Sequence, residues 1–198
     1  MSESWSTLSQ ACQYQQEIKK SRFLALAAPV TSTEQALAFV RDVSTPTATH
    51  NCWAYRIGQD YRFNDDGEPG GTAGRPILQA IEGQQMDGVV VVVTRWYGGI
   101  KLGAGGLVRA YGGTAAECLR LAERLPIVAM ARLGVHCEFA ELTLLKARLK
   151  ELQAEIERED FGADGVELQL RLPDSRVDEA DVLIADISRG RSSARRLD

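Results

Sequence analysis

Five consecutive valines, Val89 to Val93, run into Thr94 and Arg95 with turn signals on either side. An apolar run without alternation predicts a strand buried on both faces, here Gly88 to Arg95, with a charged residue at its mouth. Helical spacing of apolar residues follows from Gly105 to Arg124. Upstream, Glu17 to Pro29 reads as one strand that Pro29 stops, and the residues before Glu17 read as a loosely held start. Thr31 or Ser32 caps a helix that begins near Thr33, with Glu34 in its first turn and Ala36, Leu37, Phe39 and Val40 on one face. Aromatic content makes His50 to Ile57 a strand, and period two sets His50, Cys52, Ala54 and Arg56 on one side of it. A short helix is expected from Pro76 to Glu82, with proline in its favoured early position.

Beyond Pro126 the pattern changes to a compact alternation. Val135 to Phe139 predicts a strand, and Ala140 to Leu152 a helix with Leu142, Leu145, Leu149 and Leu152 inward. A strand from Ala154 to Phe161, a turn at Gly162-Ala163-Asp164-Gly165 and a perfectly alternating strand from Val166 to Leu172 come next. A helix starting at Pro173-Asp174-Ser175 and running to Ile187 precedes a last edge strand, Ser192 to Leu197. The order β-α-β-β-α-β is the ferredoxin-like pattern. The fold class is therefore α+β in two domains, residues 1–130 and 131–198.

The glycines sharpen this picture, because 13 of the 18 fall between Gly67 and Gly113. Each costs more backbone entropy than any other residue, so the cluster marks backbone that turns sharply or approaches something closely. Two loops hold most of them: Asp65-Asp66-Gly67-Glu68-Pro69-Gly70-Gly71-Thr72-Ala73-Gly74-Arg75-Pro76, and Trp96-Tyr97-Gly98-Gly99-Ile100-Lys101-Leu102-Gly103-Ala104-Gly105-Gly106. Strand, glycine loop and helix start form the geometry in which free N–H groups face an anion. Arg75, Arg95, Lys101 and Arg109 are placed to converge near Gly105 and Gly106 at that helix start, and Trp96 and Tyr97 offer flat faces for stacking. The opposing reading is that Trp96 and Tyr97 pack the core while Arg95 pairs with Asp65, Asp66 or Glu68. Gly105-Gly106 and Gly112-Gly113, seven residues apart, equally suit close helix packing. His50, Asp65, Asp66 and Glu68 either shape the loop or hold a cation, and carboxylates in glycine turns often cap backbone N–H groups. No Gly-Lys-Ser/Thr ending is present, so a nucleoside-triphosphate P-loop is not supported. His136 and Cys137 alternate across a strand and read as structural.

Charge adds little to the nucleic-acid case, since the net charge is −4. Residues 1–130 balance to zero, and the whole deficit lies in 131–198, whose end is nevertheless basic at Arg189, Arg191, Arg195 and Arg196. The four cysteines, Cys12, Cys52, Cys118 and Cys137, are scattered without a Cys-x-x-Cys pair. That disfavours a zinc site or redox dithiol and fits a reducing compartment. Without a signal-peptide pattern or an apolar run near membrane length, a soluble cytoplasmic protein is expected, with no membrane partner.

Four stretches together resemble the IMPACT/YigZ family: Glu17-Ile18-Lys19-Lys20-Ser21-Arg22-Phe23, His50-Asn51-Cys52-Trp53-Ala54-Tyr55, Asp65 to Gly74, and Arg95 to Gly103 continuing through Gly105 to Tyr111. The second half is similar to the smaller C-terminal domain of the bacterial members. Asn51 stands where a second histidine is usual, which weakens a His–His metal pair, and Gly70 where alanine is common. The resemblance implies an N-terminal half similar to the α+β fold shared by a ribosomal protein and domain IV of elongation factor G. It implies a ferredoxin-like C-terminal half as well. The eukaryotic relatives regulate translation by interfering with activation of an amino-acid-starvation kinase, using an additional N-terminal domain without counterpart in these 198 residues. The resemblance supplies no reaction.

The expected function is a non-enzymatic regulator of translation that binds RNA, the ribosome or a translation-associated protein through the glycine-loop surface, with no cofactor. The alternative is a metal-assisted hydrolase, or a binder of a small phosphorylated compound.

Overall fold

The computed structural model describes residues 5–197, which divide between Ile127 and Val128 into two compact units. The boundary expected from the sequence, 130/131, lies three residues further along.

The first unit is built on a five-stranded antiparallel sheet. Its strands are β2 (Cys12–Ile18), β3 (Ser21–Pro29), β4 (His50–Ile57), β5 (Asp60–Asn64) and β6 (Val89–Trp96), in the order β2-β3-β6-β4-β5. The valine strand β6 is central, and all five valines are fully buried. Each is worth about 1.5–3 kcal/mol relative to exposure. Alternate valines serve different layers. Val89, Val91 and Val93 join Ile77 and Ile81 of helix α2 (Gly74–Gly83) and Tyr111, Ala115 and Leu119 of α3 (Ala104–Leu121). Val90 and Val92 meet Ala36 and Val40 of α1 (Thr33–Val43), along with Trp53 and Tyr55. Ser32 caps α1, its hydroxyl accepting from the Gln35 N–H at 3.2 Å.

The strand expected over Glu17 to Pro29 is in fact the end of β2, a turn and β3, and the start expected to be loosely held contains, among its described residues, a further strand and most of β2. The turn at Lys19 and Lys20 has φ of 46° and 64°, a left-handed conformation reached without the glycine or asparagine that announces such hairpins. Strand β1 (Ser6–Leu8) pairs with β7 (Arg124–Pro126), closing the first strand of the unit onto its last. The edge strand β5 escaped prediction because every residue in it is exposed, so it carries no core-facing alternation.

The second unit has four antiparallel strands, β8 (Met130–Cys137), β9 (Glu155–Phe161), β10 (Val166–Pro173) and β11 (Arg195–Leu197), ordered β11-β8-β10-β9. Helices α4 (Phe139–Glu151) and α5 (Val177–Ser188) supply Leu145, Leu149, Ala180 and Ile184 to a core completed by Leu133, Leu168, Leu170 and Leu172. This is the βαββαβ arrangement expected of a ferredoxin-like unit, with β8 and β9 split by β10.

Candidate functional site

Period two carries Arg95 onto the α2/α3 side of β6, where Phe23 of β3 and His50 of β4 are its cross-strand neighbours. Its side chain is almost wholly buried. Nη1 donates to Glu68 Oε1 at 2.6 Å and Nη2 to Ser21 Oγ at 3.4 Å, while Nε–H has no acceptor among the described residues. The two side chains are 6% and 4% exposed. The hydroxyl of Tyr111, from α3, donates to the same Glu68 oxygen at 2.6 Å. His50 Nε2 lies 3.7 Å from it. The other imidazole nitrogen, Nδ1, stands 2.7 Å from the Asp66 carbonyl oxygen, which can only accept, so Nδ1 carries a hydrogen. Burial is the main reason that the Tyr111 phenol is pushed far up, with Cys52 and Glu68 adding to it. The Cys52 thiol is also pushed up, chiefly by burial, and donates to the Asp65 carbonyl at 3.0 Å. Neither group is primed as a nucleophile.

The first glycine loop is organised by its own carboxylates. Asp65 Oδ1 accepts from the N–H groups of Ala73 (3.0 Å) and Gly74 (2.8 Å) at the start of α2, and Oδ2 from Gly71 (2.8 Å). Asp66 Oδ2 accepts from the Asn51 N–H at 2.6 Å. Three of these four oxygens thus hold backbone. Among the described residues, no three of His, Cys, Asp or Glu gather as a metal cage. Glu68 reaches inward to Arg95 and does not share in the clamp.

The second loop departs from the end of β6. Trp96 falls on the other side of the sheet, where the Arg22 guanidinium lies 3.9 Å from its ring centroid. Tyr97 is 46% exposed, and its N–H donates to Thr49 Oγ1 at 2.9 Å. Gly98 touches the Lys19–Lys20 turn so closely that a Cβ there would sit 1.8 Å from the Lys20 carbonyl oxygen. The contact brings Lys20 beside the loop. Gly103 then enters α3 with φ of 75°, and no side chain caps that helix. Its first intrahelical bond is Leu107 N–H to Gly103 O, 2.9 Å, so the three preceding N–H groups lie open, as at any uncapped helix start.

A recess of about 440 Å³ opens here, lined among others by His50, Glu68, Arg95, Tyr97, Lys101 and Leu107. Of the residues singled out from the sequence, Arg95, Tyr97, Lys101, His50 and Glu68 meet in it. Gly105, Gly106 and Arg109 sit just outside on α3, with the Arg109 guanidinium over Gly105. Trp96 faces elsewhere, and Arg75, exposed in the first turn of α2, is not among the lining residues. Of the paired glycines in α3, Gly112 packs against Pro76 of α2, whereas a Cβ at Gly113 would meet nothing. Sequence reasoning missed Tyr111 and Ser21 as partners of the ion pair. The helical spacing of Leu107 and Tyr111, four apart, was the available signal for the first.

No helix among the described residues is long and apolar enough to cross a membrane. Residues 19–119 match the family model described as the Impact N-terminal domain, and residues 135–191 a domain of unknown function, DUF1949. The chain is 52% identical over 156 residues to an IMPACT family member in the pol 5′ region of Thermus thermophilus, covering 79% of this chain and 86% of that one. It is 39% identical over 195 residues to the IMPACT family member YigZ of Escherichia coli K12, covering 95% of each. A crystal structure described only as that of an hypothetical protein superposes with a TM-score of 0.69 at 37% identity, over 100% of this chain and 99% of the other. The Impact N-terminal match spans β3 through most of α3, the elements that meet at the recess, and the chain belongs to the IMPACT family.

Proposed function

We propose that this chain is a non-enzymatic regulator of translation that binds RNA of the translation machinery through the surface of its second glycine loop. The observation that supports this reading best is the uncapped start of α3 opening between Lys101, Arg109 and the exposed ring of Tyr97. A backbone phosphate suits the helix start, where open N–H groups and the positive dipole end coincide. A base suits the face of Tyr97, where stacking is tolerant of sequence.

Arg95 takes a different part from the one its charge suggests. Glu68 neutralises it, so the cations that face phosphates are Lys101 and Arg109, and Arg95 holds the loop in place.

The test is RNA and ribosome binding across a salt series, comparing wild type with Lys101→Ala/Arg109→Ala. Both side chains are exposed, so the variant keeps its fold. The reading expects the slope of log affinity against log salt to become shallower by about 0.7 for each lost phosphate contact on a single strand. Unchanged slopes, or no binding by wild type at moderate salt, overturn it.

A small phosphorylated compound is the second reading, favoured by a recess whose volume lies within the usual range of small-molecule sites, about 300–1,000 Å³. Saturable binding of nucleoside monophosphates without RNA binding would select it. Its metal-assisted form draws nothing from the acidic loop, where Asp65 and Asp66 hold backbone N–H groups.

A further inference from the structure

Cys12 and Cys118 are 106 residues apart in sequence, yet their sulfurs lie 3.7 Å from each other. Cys12 points from β2 toward α3 and is partly exposed, whereas Cys118 is 2% exposed on α3. One helical turn away, Gln16 Nε2 donates to Thr114 Oγ1 at 2.7 Å. Two side-chain contacts, 12 with 118 and 16 with 114, therefore fix β2 against α3 in one register. The remaining thiols offer no such pair: Cys52 is held on the Asp65 carbonyl, and Cys137 lies in the second unit.

We propose that Cys12 and Cys118 form an oxidisable thiol pair that peroxide converts to an intramolecular disulfide linking β2 to α3. The sulfurs must close by about 1.7 Å to reach the covalent distance near 2.05 Å, a movement within reach of side-chain rotation. Cys12 is the attacking sulfur, being the accessible one. The hydrogen bond between the two thiols also favours the thiolate at Cys12, and the same contact, with burial, pushes the Cys118 thiol up, so Cys118 stays protonated until the sulfenic acid stands beside it. The Cys12 thiolate attacks one peroxide oxygen, the O–O bond breaks, and the departing hydroxide takes a proton to leave as water. The resulting Cys12 sulfenic acid is then attacked by the Cys118 sulfur, which gives up its proton as the S–S bond forms and the S–O bond breaks. A second water departs. Two thiols are oxidised by two electrons, and one peroxide is reduced to two waters. A dithiol reductant reverses the link by exchange.

The device is independent of the RNA reading, because neither cysteine lines the recess. The test is to expose the folded full-length chain to hydrogen peroxide, quench, unfold, and count thiols with a chromogenic disulfide. The expected count falls from four to two, the intact mass drops by two hydrogens, and a non-reducing digest contains one peptide pair joining residues 12 and 118. Cys118→Ser is expected to leave a Cys12 sulfenic acid that a dimedone probe traps, and Cys12→Ser to leave the other three thiols unreacted over the same interval. A count that stays at four overturns the proposal. So does loss of thiols to sulfinic acid, or to links between chains, without the 12–118 peptide.

Discussion

Replacing Arg95 by methionine is the perturbation that most directly interrogates the buried network. The change keeps the volume and apolar stem but leaves the Glu68 carboxylate, 4% exposed, with only the Tyr111 hydroxyl as a close donor. Breaking one partner of a buried pair costs about 3–5 kcal/mol, because an uncompensated charge stays behind. Glu68→Leu should cost a comparable amount by stranding the guanidinium. Combined, the two substitutions remove both charges, and their joint cost should fall far below the sum of the singles, a coupling of about 2–3 kcal/mol or more. The double variant still leaves the Tyr111 hydroxyl without an acceptor, a residual cost of about 1–3 kcal/mol that adding Tyr111→Phe should recover. Urea unfolding followed by tryptophan fluorescence reads this cleanly, since Trp5, Trp53 and Trp96 all belong to the first unit. Additive single costs, or an Arg95→Met cost below about 1 kcal/mol, would refute the assignment of this pair as the anchor of the second loop.

Other consequences are as direct. Gly98→Ala forces the second loop off the Lys20 carbonyl and should cost about 3 kcal/mol in the same urea assay, while Gly113→Ala, in open space within α3, should be neutral or stabilising. Asp65→Ala releases three backbone N–H groups around the start of α2 and should cost about 1–2 kcal/mol; Asp65→Asn should recover part of it. Alkaline pH should destabilise the first unit. Cys52 and Tyr111 have folded pKa values raised above 9.0 and 10.0, so their contribution is complete below those values and declines as the unfolded chain ionises above them. Stability measured from pH 8 to 11 should fall less steeply in Cys52→Ala/Tyr111→Phe; equal slopes would contradict the burial of these groups.

The architecture was readable where burial imposes a period. The valine run, bounded by turn signals, reads as a strand covered on both faces, and the alternation of Val166 to Leu172 as a half-buried one. It was unreadable where local signals were silent. The Lys19–Lys20 turn adopts left-handed backbone with two lysines, and Asp60–Asn64 is an edge strand in which every residue is exposed. The site divides the same way. That Arg95 closes a buried strand followed from spacing, and its pairing with Glu68 stood among the alternatives, but three acidic residues in one loop are indistinguishable until the turn is folded. Treating Trp96 and Tyr97 as one platform overlooked where the strand ends: Trp96 is the last residue of β6 and faces the side opposite Arg95, whereas Tyr97 already belongs to the loop. Tyr111 entered from a helix some forty residues downstream of Glu68, a contact that only tertiary packing creates.

The pairing of β1 with β7 bears on how this chain is made. Ser6–Leu8 pairs along its length with Arg124–Pro126, while Ser6 alone also bridges Met86, so most of the pairing of this early strand waits for the last strand of its unit. All five strands of the central sheet lie before Tyr97, whereas α3, which covers one of its faces, and β7 come after it. Closure of the clasp is then a separate, late event, timed by the emergence of residue 126 and its neighbours from the exit tunnel. A nascent chain arrested before residue 126 would hold β1 without its β7 partner, leaving Ser6–Leu8 more open to proteolysis than in the finished unit.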